Sequence, residues 1–143
     1  MTEIENIINI SEFEDKSLLI VDDDNPFRER LARAMEKKGF KVSQAEGVKK
    51  GINCVKQQRP AFAVVDLRLN DGNGLEVVKE IQSSNSKSRV VMLTGYGNIP
   101  TAVAAIKQGA IDYLAKPADA DDVERALLAD PNQKAAPPEN PMS

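Results

Sequence analysis

Leu18-Leu19-Ile20-Val21-Asp22-Asp23-Asp24-Asn25-Pro26 is the stretch on which the fold turns. Four consecutive aliphatic residues, ending in β-branched Ile20 and Val21, suit a strand buried on both faces. The run stops abruptly at three aspartates, which cannot extend an apolar core. Asn25-Pro26 then reads as a helix start, a cap followed by proline in the first turn, where its missing N–H removes no helical bond. Phe27, Leu31, Ala34 and Met35 share one face of that helix, and Gly39 marks its stop. A buried strand that delivers acids at its end and passes into an amphipathic helix is one β–α unit of a parallel sheet.

The unit repeats along the chain. Residues 40–45 form a weaker strand, and Val48, Ile52 and Val55 outline a helix that ends before Pro60. Ala61-Phe62-Ala63-Val64-Val65 is a third strand landing on Asp66, followed by the turn chemistry of Asn70-Asp71-Gly72-Asn73-Gly74. Leu75, Val78 and Ile81 mark the third helix. Residues 89–93 form a strand ending at Thr94-Gly95, and Ile99, Val103 and Ile106 form the apolar face of a fourth helix stopped by Gly109. Residues 111–115 form the last strand, ending at Lys116-Pro117, and Val123, Ala126 and Leu127 lie on the last helix. Five such units predict an α/β fold, a parallel sheet with helices on both faces. Right-handed crossovers then place every strand's C-terminal end on one edge, where such sheets bind ligands.

With 143 residues the chain has room for one compact domain of ordinary size. A 4% aromatic content predicts an aliphatic core, and the net charge of −3 with no basic cluster offers no footprint for nucleic acid. The complete lack of histidine removes the usual general base and most zinc sites, and a single cysteine, Cys54, excludes an internal disulfide. The acidic start lacks the layout of a signal peptide and no apolar run is long enough for a bilayer, so cytoplasmic residence is expected. Residues 1–16 form an extension that either docks as a short element or stays loose. Residues 17–130 form the domain, and 131–143, with Pro131, Pro137, Pro138 and Pro141, have linker composition.

The polar residues at the strand ends are Asp22 and Asp23, Asp66, Thr94 and Lys116, which this fold brings to one edge. Carboxylates about 4 Å apart repel by about 4 kcal/mol per pair at an effective dielectric of about 20, and a divalent cation relieves this. All-oxygen donors favour Mg2+, with Mn2+ possible. Asp66 is the natural nucleophile for a phosphoryl group, with Thr94 and Lys116 placed to contact its oxygens. Asp24 and Asn25 read as helix caps, Asp71 as a turn residue, and Asp121 and Asp122 as first-turn acids favoured by the helix dipole.

Residues 18–23, 64–66, 91–94 and 112–117 resemble the motifs of response-regulator receiver domains. The resemblance implies a flavodoxin-like, doubly wound five-stranded sheet in the order 2-1-3-4-5. It implies Asp66 as phosphoacceptor, and Mg2+ held by Asp23, Asp66 and the backbone carbonyl of Arg68, with Asp22 helping through water. It also implies contacts from Thr94 and Lys116 to the phosphoryl group, and a switch in which Tyr113 changes rotamer as Thr94 moves. The implied partner is a sensor histidine kinase, with a homodimer possible on phosphorylation and no membrane association.

A narrower resemblance, carried by residues 66–75, 93–97 and 113–121, is to the RegA/PrrA/ActR redox-linked transcription regulators. In that family a helix-turn-helix output domain follows the linker, so the chain is expected to stop short of it and to reach DNA only through it. The chain is accordingly expected to be a regulatory domain rather than an enzyme, catalysing only its own phosphoryl transfer and dephosphorylation. Pro117 after Lys116 predicts a cis peptide there, because an X–Pro bond disfavours cis by only about 0.5–1 kcal/mol.

The rival enzyme reading is a haloacid-dehalogenase-type phosphatase with Asp22 as nucleophile and Thr94 and Lys116 in its later motifs. Against it, Pro26 stands where that family has Thr or Val, and no strand ends in a late acidic pair. A flavodoxin-like electron carrier would need a first loop that cradles phosphate, which Asp22-Asp23-Asp24 would repel.

Overall fold

The computed structural model describes residues 10–95, 99–107, 109–110 and 112–129. Expectations for Ile111, for the Ile99 side chain and for segments 1–9 and 130–143 lie outside the described residues. The main elements alternate as β1 (Ser17–Val21), α1 (Asn25–Lys37), β2 (Lys41–Ala45), α2 (Val48–Gln58), β3 (Phe62–Asp66), α3 (Gly74–Ser84), β4 (Arg89–Thr94), α4 (Ile99–Lys107), β5 (Asp112–Ala115) and α5 (Ala120–Leu128). The strands form one parallel five-stranded sheet in the order β2-β1-β3-β4-β5. The order reverses between β1 and β3, and that crevice is where Asp22 and Asp66 emerge.

Alternation along the strands divides the core into two layers. Leu18, Ile20, Phe62, Val64, Val91 and Leu93 pack with Leu31 and Met35 of α1 and with Val123 and Leu127 of α5. On the other face Leu19, Val21, Ala63, Val65, Val90 and Met92 pack with Val48 and Val55 of α2 and with Val77, Val78 and Ile81 of α3. The central strands are buried on both faces, which explains their unbroken aliphatic runs. Cys54 is a half-buried thiol against the second layer.

The N-terminal cap of α1 is Asp24, whose Oδ1 accepts from Phe27 N–H at 3.1 Å, so the helix begins at Asn25 with Pro26 in its first turn. The described part of the N-terminal extension docks. A 3-10 turn at Ile10–Glu12 buries Ile10, and the Phe13 ring meets Phe62 edge-on at 5.1 Å. Arg89 lies 5.2 Å over the Phe13 ring and donates to the carbonyls of Leu127 and Ala129. That ties the extension to the exit of α5.

The fourth helix forms where its spacing placed it, but Val103 and Ile106 on its apolar face are 42% and 37% exposed. The helix packs on β4 and β5, and these two side chains are left partly open to solvent. No helix among the described residues is long and apolar enough to cross a membrane.

Candidate functional site

Asp22 follows the last residue of β1 and is fully buried, its N–H donating to the Ala45 carbonyl at 3.1 Å. Its Oδ1 accepts from Asp24 N–H at 2.8 Å. Its Oδ2 takes no hydrogen bond, although Lys116 Nζ lies 2.9 Å away as an ion-pair partner outside hydrogen-bonding geometry. Asp66, the last residue of β3, is also buried and accepts from Lys116 Nζ at 3.4 Å. Asp23 is half-buried beside them, and one carboxylate oxygen from each of Asp22, Asp23 and Asp66 falls within 4.8 Å of the others. Three hard oxygen donors, one of them buried without a hydrogen bond, are suited to a divalent cation.

The electrostatics follow from this crowding. Burial, reinforced by the Asp22 and Asp23 charges and only partly opposed by Lys116, pushes Asp66 up from 3.8 to about 6. Burial pulls the Lys116 ammonium down, but Asp22 and Asp66 outweigh it and hold the group above its ordinary value. At pH 7 the site therefore presents an ionised Asp66 beside a protonated Lys116.

Thr94 ends β4 with only 2% of its surface exposed, and its carbonyl accepts from Lys116 N–H at 2.8 Å. The β4–β5 register pairs Met92 with Tyr113 and Thr94 with Ala115. Thr94 and Tyr113 therefore face the same side of the sheet, with Tyr113 half-buried against the second core layer. The Lys116–Pro117 peptide is cis, as predicted, and Lys116 Nζ sits 4.9 Å over the Phe27 ring. Arg68 lies on a short antiparallel hairpin, Arg68–Leu69 with Gly72–Asn73, that leaves β3 directly after Asp66.

Three features escape a reading by strand ends. Arg28 is a buried cation in α1, donating to the Asp22 carbonyl at 2.7 Å, Asn25 Oδ1 at 2.7 Å and Gln44 Oε1 at 2.9 Å. It braces the acidic loop through the Asp22 backbone and the side chains of Asn25 and Gln44, and its place on the buried face was the available signal. Gly74 has no room for a Cβ against the Asp66 carbonyl oxygen, which explains the glycine at the start of α3. Asp71 is more than a turn residue: its carboxylate accepts from Val48 N–H at 2.7 Å and Lys49 N–H at 3.1 Å, capping α2 from a distant loop. No local spacing announces a cap supplied from 23 residues away.

A doubly wound sheet with buried acids, a hydroxyl and an ammonium at its C-terminal edge defines a class of phosphate-accepting signalling domains. Residues 18–128 match the response regulator receiver domain family, and the chain belongs to it. It is a receiver domain of two-component signalling, a regulatory rather than catalytic family. The chain is 60% identical to the photosynthetic apparatus regulatory protein RegA of Rhodobacter capsulatus over 90% of its length and 70% of that protein's. It is 59% identical to the acid tolerance regulatory protein ActR of Rhizobium meliloti, covering 90% of this chain and 66% of that one. A solved response regulator from Burkholderia pseudomallei, described with a phosphorylated aspartic acid, a calcium ion and citrate, matches with a TM-score of 0.78 and 35% identity. That match covers 84% of this chain and 71% of the other. The phosphatase alternative is not supported: the family that matches is another one.

Proposed function

We propose that Asp66 accepts a phosphoryl group from a phosphohistidine of a partner sensor kinase. An Asp66 carboxylate oxygen attacks phosphorus as the P–N bond breaks, leaving an acyl phosphate on Asp66 and a neutral imidazole on the kinase. The convergence of Asp22, Asp23, Asp66 and Lys116 at one sheet edge carries this reading. Asp23, Asp66 and the Arg68 carbonyl are the residues to hold Mg2+, or Mn2+, with Asp22 acting through water. The cation would supply charge neutralisation for the incoming phosphoryl oxygens. Lys116 leaves its carboxylate partners to contact one phosphoryl oxygen, and Thr94 donates its hydroxyl to another. As Thr94 moves toward the phosphoryl group, Tyr113 turns into the vacated space on the same face, reshaping the surface of α4, β5 and α5. A homodimer or an output domain would read that surface.

In this layout residues 1–16 are an extension, 17–130 the receiver and 131–143 a linker toward a helix-turn-helix domain that contacts DNA. The protein would act in the cytoplasm and reverse its own modification by hydrolysis. Intact mass after incubation with acetyl phosphate and Mg2+, followed by peptide mapping, tests the core of this. One phosphoryl group is expected, mapped to Asp66 and lost in Asp66→Asn; label on Asp22 overturns the assignment.

A further inference from the structure

The hairpin that carries Arg68 is fastened at its far end to a helix on the other side of the site. Its tip residue Asp71 accepts two backbone N–H groups from the first turn of α2, at 2.7 and 3.1 Å. These donors hold the Asp71 carboxyl below the usual carboxylate range. The helix has no side-chain cap of its own, because its N-terminal cap position is Gly47. A Cβ on Gly47 would lie 2.6 Å from Asp71 Oδ1, so the glycine makes the approach of the carboxylate possible. Next along the hairpin, Gly72 adopts φ +153°, and a Cβ there would lie 3.2 Å from Val48 Cγ2. Both residues of the tip therefore rest on the start of α2.

At its near end the hairpin is held just as firmly. Leu67 N–H donates to the Leu93 carbonyl at 2.9 Å, Gly74 N–H donates to the Leu67 carbonyl at 2.8 Å, and Leu67 and Leu69 are buried. The pairs Arg68 with Asn73 and Leu69 with Gly72 connect the two ends within a single turn. Arg68 therefore sits on a two-pair ladder whose other end is the anchored tip.

We infer that Asp71 is a positioning residue for the cation site: by anchoring the hairpin to α2 it fixes the Arg68 carbonyl before the metal arrives. This rests on the cation reading above, in which that carbonyl is a ligand. A partner one step removed from the ligands typically changes metal affinity by about 10–100-fold when lost. A carboxylate that only caps a helix would alter stability and leave affinity alone.

The test is a calorimetric Mg2+ titration of the full chain alongside its melting temperature. Asp71→Ala should weaken Mg2+ binding about tenfold and slow labelling by acetyl phosphate at limiting Mg2+, with the rate restored at saturating Mg2+. Gly47→Ala, which keeps the Asp71 side chain but pushes its carboxylate off the helix start, should weaken binding in the same direction. Asp71→Asn, whose amide oxygen still accepts one N–H, should lose less. Lowered melting temperatures with Mg2+ affinity unchanged in both Asp71→Ala and Gly47→Ala would overturn the inference. Asp23→Ala separates the two layers of reasoning. If it abolishes binding while Asp71→Ala does not weaken it, the cation site stands and the role of Asp71 falls. If the native chain binds no Mg2+, or Asp23→Ala binds as well as it does, the cation reading fails and takes the inference with it.

Discussion

Replacing Asp66 by asparagine should make the metal-free protein more stable, even though it removes an ion pair. The carboxylate titrates at about 6 instead of 3.8, so ionising it in the folded state carries a penalty of about 3 kcal/mol at most. Solvent at the open sheet edge screens part of this, leaving about 1–2 kcal/mol. The native state binds more protons than the unfolded chain between 3.8 and about 6, so stability falls as pH rises through that window. The penalty is full above about 6, near half its size at pH 5, and gone below 3.8. Asparagine keeps the shape and never ionises, and Lys116 retains Asp22 at 2.9 Å. Thermal melts in chelator at pH 7.5 should therefore place Asp66→Asn about 5 °C above the native chain. The gap should narrow at pH 5. Saturating Mg2+ should raise the native chain more than the variant, because binding to the folded state is what it stabilises. A variant that melts lower at pH 7.5, or an advantage independent of pH, would refute the reasoning.

Two other perturbations probe the remaining parts of the site. Thr94→Ala should leave the Asp66 label intact while abolishing the Tyr113 rotamer change on beryllium fluoride addition, read from aromatic NMR shifts. A Tyr113 that switches as before in the variant would show that Thr94 does not drive it. Arg28→Met strips donors from the Asp22 carbonyl, Asn25 and Gln44, and should cost about 2–4 kcal/mol, lowering the melting temperature by roughly 10 °C. Unchanged melting would mean that water replaces the guanidinium.

The polar edge of the sheet was legible because each of its residues directly follows or ends an apolar run. Leu18-Leu19-Ile20-Val21 can only be a doubly buried strand, and its boundary with Asp22-Asp23-Asp24 is set by the cost of burying charge. The same logic placed Asp66, Thr94 and Lys116, since strand ends in a parallel sheet share one edge. Helix faces were less secure. Periodicity grouped Val103 with Ile106 but could not say that both would be left partly open to solvent, because that depends on what packs beside α4. Likewise Asp71 carries an ordinary turn signature, and only the approach of α2 makes it a cap.

Local chemistry along the chain thus determined the alternation of strands and helices, the parallel sheet and the polar residues at the ends of its strands. Those depend on side-chain polarity and on neighbours a few residues apart. Tertiary structure alone decided the pairing of Lys116 with both Asp22 and Asp66, the raised affinity of Asp66 for its proton, the brace from Arg28 and the anchoring of the hairpin by Asp71. Each of these arises from the distance between groups far apart in sequence, and hydrogen bonding and charge interaction depend on that distance, which the order of residues does not contain.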